Sequence, residues 1–170
     1  MSPLTLEDCQ AKLRSRREPA LLVPAGIWDP DVDAAIERLL PDTSALKSAL
    51  HLWNDNLRRA HEIAQEIATQ TGSYLHGVMH RREPDYANAK YWFRKVGSHP
   101  NFPAVRMAAL ELVPESLADR RADLERSSAW DPFQMVDWCE RAEGRNDAFA
   151  RFLRSVQARE IEILVADCGE

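Results

Sequence analysis

The sequence predicts an all-α fold, and three observations carry that prediction. Apolar residues recur at steps of three and four through most of the chain. Helix start and stop signals punctuate it at short intervals, among them Asp29-Pro30, Asp131-Pro132, Pro41, Gly97 and Gly144. No segment alternates apolar and polar residues as a half-buried strand would. The expected architecture is a compact single-domain helical bundle over residues 1–170, with roughly seven to nine helices and short loops. A chain of 170 residues can bury a sizeable core.

Each element has its own justification. Thr5–Arg17 reads as a first helix, with Leu6, Cys9 and Leu13 on one face. Ala20–Ile27 is apolar but broken by Pro24 and Gly26, and is expected to run extended across the core. Asp29 suits an N-cap and Pro30 a first helical position, which opens a helix to about Leu40 before Pro41 ends it. Thr43 to Thr71 reads as one long helix. Its seam is Leu46, Leu50, Trp53, Leu57, Ala60, Ala64 and Ile67. A polar stripe follows one residue round: His51, Asn54, Arg58, His61 and Gln65, bordered by Asp55 and Glu62.

Gly72 is expected to terminate that helix. Ser73–Arg82 is a short helix stopped by Pro84, and Asp85 caps the next one, Tyr86–Val96. After a loop with two prolines come helices over Ala104–Leu112 and Ser116–Arg126. Trp130-Asp131-Pro132 opens another to about Ala142, with Trp130 placed to staple against Met135. Asp147–Ala166 is the last, with Phe149, Phe152, Leu153, Val156 and Ile163 at core spacing.

Charge narrows the function. The net charge is −5, which argues against a general nucleic-acid partner. No apolar run is long enough to span a bilayer, so no membrane partner is expected, and the N-terminus lacks the basic-then-apolar order of a signal peptide. A cytoplasmic location follows as the expectation. Cys9, Cys139 and Cys168 are far apart and near no histidine, so neither a disulfide framework nor a zinc site on them is expected.

Against this acidic background stands Gly72–Ser98. It holds all three tyrosines, Trp92, His76 and His80, and five cationic side chains. A solvated helix face is better served by Lys and Glu, whereas a pocket for a small polar or anionic molecule needs this mixture. The candidate site module is residues 44–102.

His76 and His80 are four residues apart, which puts both imidazoles on one face of a helix and within reach of one ion. A divalent Zn, Fe, Mn or Ni needs further ligands, and His61 is the first candidate, with Asp55, Glu62, Gln65, Asp85 and His99 behind it. His61, His76 and His80 are thus candidate metal ligands, or candidate acid–base groups without a metal. Arg81, Arg82, Lys90 and Arg94 are candidates to hold an anionic group, and Tyr74 and Tyr91 to orient it. Trp92 is expected in the core.

The run HRREPDYANAKYWFRKVG, together with Trp53-Asn54-Asp55 and His61-Glu62-Ile63, resembles a family of uncharacterised bacterial and fungal proteins. The resemblance covers mainly residues 50–102 and implies a module there, with no activity to carry over. The leading expectation is a small-molecule enzyme, possible metal dependence included. Its rivals are a non-catalytic sensor using the same pocket and a helical interaction protein using the aromatic-basic strip.

Overall fold

A computed structural model of the chain describes residues 3–169. Among the described residues are ten α-helices, one 3-10 turn and no strand. The all-α expectation holds, and the helix count rises by one because the longest expected helix is broken. No described helix is long and apolar enough to cross a membrane.

The start signals act as read. Thr5 and Asp8 form a reciprocal capping box at the head of α1 (Leu6–Arg14). Asp29 Oδ1 accepts from the amides of Asp31 and Val32 at the head of α2 (Pro30–Leu39). Asp85 caps α6 (Tyr86–Val96), and Asp131 caps α9 (Pro132–Ala142). Each such cap contributes about 1 kcal/mol. Leu21–Val23 does not form a strand, and the segment between α1 and α2 runs without regular structure, leaving Leu21 and Ile27 exposed.

The expected helix over Thr43–Thr71 is instead α3 (Ala45–Trp53), α4 (Leu57–Ala64) and the beginning of α5 (Gln70–Arg82). The break falls at Asp55, whose φ of 65° is left-handed. Arg82 and Arg16 hold it there. Arg82 donates to Asp55 Oδ1 at 2.6 Å and to the Leu52 carbonyl at 2.5 Å. Arg16 donates to Asp55 Oδ2 at 2.9 Å and to the Trp53 carbonyl at 3.2 Å. Two guanidinium groups thus satisfy the carbonyls that a helix end leaves over. Asn56 then caps α4.

Gly72 does not terminate a helix. It lies in the first turn of α5, where a Cβ would sit 2.1 Å from the Ile67 carbonyl oxygen. Its role is close approach, not chain reversal. Gly77 has the same kind of role against α6, since a Cβ there would meet the Phe93 ring at 2.9 Å. The two glycines let α5 seat deeply, with α4 on one side and α6 on the other.

Chain order continues with α7 (Phe102–Leu112), a 3-10 turn at Glu115–Leu117, α8 (Ala118–Arg126), α9 and the long α10 (Ala148–Gly169). α10 packs across α3, α7 and α9. The core follows as one cluster containing Leu50, Leu75, Met79, Phe93, Val136, Leu153 and Leu164, all nearly without solvent contact. α3 to α6, the elements of the expected site module, wrap one side of it.

Candidate metal centre

Three imidazoles meet where α4 lies against α5. His61 comes from α4, and His76 and His80 from successive turns of α5. One ligand nitrogen from each lies within 4.8 Å of the other two. The His61 ring is edge-on to both partners, with centroids 4.8 Å from His76 and 5.2 Å from His80, while His76 and His80 lie nearly parallel at 5.4 Å. His76 and His80 are buried, and His61 is half-buried.

α6 supplies the outer layer. The Trp92 indole stacks flat on His76, with centroids 3.9 Å apart and planes 3° from parallel. The Asn88 amide nitrogen lies 3.2 Å from His80 Nε2, within donating distance of a neutral ring. His80 Nδ1 is 3.5 Å from Glu83 Oε2 and 3.9 Å from Asp85 Oδ2. Among the described residues, His61 and His76 make no side-chain hydrogen bond, and His76 Nδ1 is fully buried without a partner. A buried polar atom without a partner costs free energy, so native structures keep few of them.

The surroundings of His76 and His80 favour their neutral forms. Burial pushes the pKa of His76 down to about 3, helped by the neighbouring His61 and His80 and by the Lys95 ammonium. Burial also lowers His80, assisted by His61 and opposed by Asp85. A neutral imidazole is the form that binds a metal.

The cationic and tyrosine candidates are placed differently. Arg81, Arg82 and Tyr74 are not pocket groups but core groups. Arg81 donates to Glu160 Oε2 at 2.5 Å, and the Tyr74 hydroxyl donates to Glu160 Oε1 at 2.8 Å. All three of these side chains are fully buried, as α10 brings Glu160 against α5. Arg82 is spent on the Asp55 corner. The physical reason is that a buried guanidinium needs a buried carboxylate, and each arginine has found one.

Lys90 bridges to Asp137 of α9 at 2.5 Å. Tyr91 is 46% exposed beside Lys95, and Arg94 is exposed. Two of the reserve ligands are engaged elsewhere. Glu62 pairs with Arg58 and Arg59, and His99 accepts from the Asn101 amide and contacts the Thr71 hydroxyl. His51 does not share a stripe with His61. It is buried against Asp33 at 2.9 Å and Glu37 at 3.0 Å.

Sequence reasoning missed Trp92 and Asn88 as site neighbours, though a signal was there. α5 and α6 form an antiparallel hairpin turning at Pro84. His80 and Asn88 lie equally far before and after that proline, and so do His76 and Trp92. Folding the sequence back on Pro84 pairs each histidine with its outer neighbour.

Comparison of the chain with protein-family models, with curated proteins and with solved structures returned no match.

Proposed function

We propose that the chain is a divalent-metal enzyme acting on a small polar or anionic molecule, with His61, His76 and His80 as its three protein ligands. The observation that carries this reading is the convergence of three imidazoles around an unpartnered, buried ring nitrogen. His51 and His99 each hold at least one ring nitrogen on a hydrogen-bond partner, although His51 Nε2 has none, whereas neither nitrogen of His61 or His76 has one among the described residues. Three histidines that meet with a single hydrogen-bonding neighbour, the Asn88 amide, are better explained by an ion. A tetrahedral zinc with bonds of about 2 Å holds its nitrogens about 3.3 Å apart. The rings therefore close by about 1.5 Å or less from their 4.8 Å limit to grip it.

Three imidazole ligands suit zinc first, and also iron, manganese or nickel. They leave a coordination position for water or substrate. Such a metal would lower the pKa of water or polarise a carbonyl. In this chain the rest is done by protein groups: Trp92 fixes the plane of His76, the Glu83 and Asp85 carboxylates face His80 Nδ1 and leave Nε2 as the nitrogen an ion would take in place of the Asn88 amide, and burial keeps both rings unprotonated.

The test is the metal content of untagged protein by elemental mass spectrometry, with His61→Ala and His80→Ala alongside. About one equivalent of a transition metal is expected in the native chain, and a small fraction of that in each variant. Absence of metal after incubation with zinc, iron, manganese and nickel would overturn the reading.

A further inference from the structure

The register that pairs His80 with Asn88 and His76 with Trp92 continues one step outward. Ser73 and Lys95, also equally far from Pro84 and about one helical turn beyond His76 and Trp92, both line an open groove of about 530 Å³. The groove runs along the start of α5 and the end of α6, beneath the chain that links α4 to α5. Trp92 lines it too, so one indole belongs both to the groove and to the wall of the histidine cluster.

The groove's polar groups can be sorted by what already occupies them. Gln70 is spent, since its amide donates to the carbonyls of Val96 and Ser98. Thr69 is spent as the cap of α5. Ser73 and Gln65, which also lines the groove, make no side-chain hydrogen bond among the described residues. Lys95 makes no ion pair among them either, and its ammonium lies 4.4 Å from the Trp92 ring centroid and 4.9 Å from that of Tyr91. No carboxylate lines the groove. A cation held against aromatic rings, beside a free hydroxyl and away from acidic groups, is arranged for an anion.

We propose that this groove is the substrate's anion subsite, in which Lys95 and Ser73 take the carboxylate or phosphate of a small organic acid while its other end reaches the histidine cluster. The reacting end rests on the metal reading; the anion end does not. The separations of Trp92 from His76 and from Lys95 place the ammonium within about 8 Å of the His76 ring. None of the three histidines lines the groove, so a compact carboxylate or phosphate ester would have to pass the edge of Trp92 to reach them.

The experiment is calorimetric titration with inorganic phosphate and with succinate, on metal-loaded and metal-free protein at low ionic strength. Native protein is expected to bind at least one of the two probes. Lys95→Met is expected to weaken that binding about tenfold, Lys95→Arg to retain most of it, and Ser73→Ala to weaken it less, since Lys95 brings a full positive charge to its hydrogen bond and Ser73 does not. Metal stoichiometry should be unchanged in all three. Equal binding by native and Lys95→Met protein, or no binding of either probe by native protein, would overturn the subsite. Lys95-dependent binding that persists in metal-free His80→Ala supports it and separates its fate from that of the metal, because the subsite then stands even if the native chain holds no ion.

Discussion

Helix α5 carries two buried polar sets, and they have been treated in opposite ways. Tyr74, Arg81 and Arg82 point into the core, and each has a carboxylate from a distant part of the chain, Glu160 or Asp55. His76 and His80 are buried to a similar degree, yet they face another histidine and no carboxylate closer than 3.5 Å. In the first set each charge is balanced by a carboxylate, although Arg81 Nε and Nη1 and Arg82 Nε keep no hydrogen-bond partner. The second is a set of donors facing inward with little to bind. Burial alone therefore does not distinguish scaffold from site on this helix; the state of the partners does.

The largest effect expected from breaking this contrast is on the charge-balanced set. Glu160→Ala leaves the Arg81 charge buried and alone, and should cost about 3–5 kcal/mol. A urea unfolding midpoint would read the loss, with metal per folded molecule unchanged. A stability loss below about 1 kcal/mol would show that Glu160 is not the partner that holds Arg81 in the core. Next comes Gly77→Ala, which forces a methyl group into the Phe93 ring. Overpacking of this kind costs about 1–3 kcal/mol, against about 1 kcal/mol gained in helix propensity. The net loss should appear as a lower melting temperature.

His80→Ala should behave in the reverse sense from Glu160→Ala. In metal-free protein it should cost less than about 1.5 kcal/mol, since no ion pair is stranded. Its effect should fall on metal content. For the same reason a chelator should lower the melting temperature of native protein and leave that of His80→Ala where it was.

The pH dependence follows from the same neutral rings. The folded-state pKa of His76 lies at about 3, below its unfolded value near 6.5, so between these values the unfolded chain binds more protons. Stability is fully present above about pH 6.5 and falls as pH drops toward 3. His80, buried in the same cluster, is lowered in the same direction. A melting temperature lower at pH 5 than at pH 7 by about 5 °C is expected, and its loss of slope in His76→Gln would assign the effect. The smallest changes belong to the surface of α6. Lys90→Ala and Arg94→Ala should each stay within about 0.5 kcal/mol and leave the metal in place.

How much of this was legible in the sequence depends on the range of the interaction. The Asp29, Asp85 and Asp131 caps are local, and the helix starts they predict are where the structure has them. The spacing of His76 and His80 is local too, and its consequence was readable. The periodicity from Thr43 to Thr71 is also local, but it runs straight through a break made by tertiary contacts. Arg16 and Arg82 reach Asp55 from 39 and 27 residues away, and nothing in the seam announces them. Arg81 was misassigned for the same reason, because its partner Glu160 lies 79 residues on. An arginine beside a histidine pair looks like an anion clamp until the carboxylate that consumes it is seen.

The corner at Asp55 also decides how the chain can tolerate changes of length. Ten residues of unbroken helix would carry His61 about 80° round from His51, an angle fixed by helical pitch alone. With the corner in place, the orientation of α4 is set by where Asn56 starts it and by the two arginines that pin Asp55. One residue inserted within α4 between Leu57 and His61 would then turn His61 by about 100° about the helix axis and take it out of the cluster. The exposed turn around Gly144 carries no such constraint, and insertions there should pass without effect on the histidines.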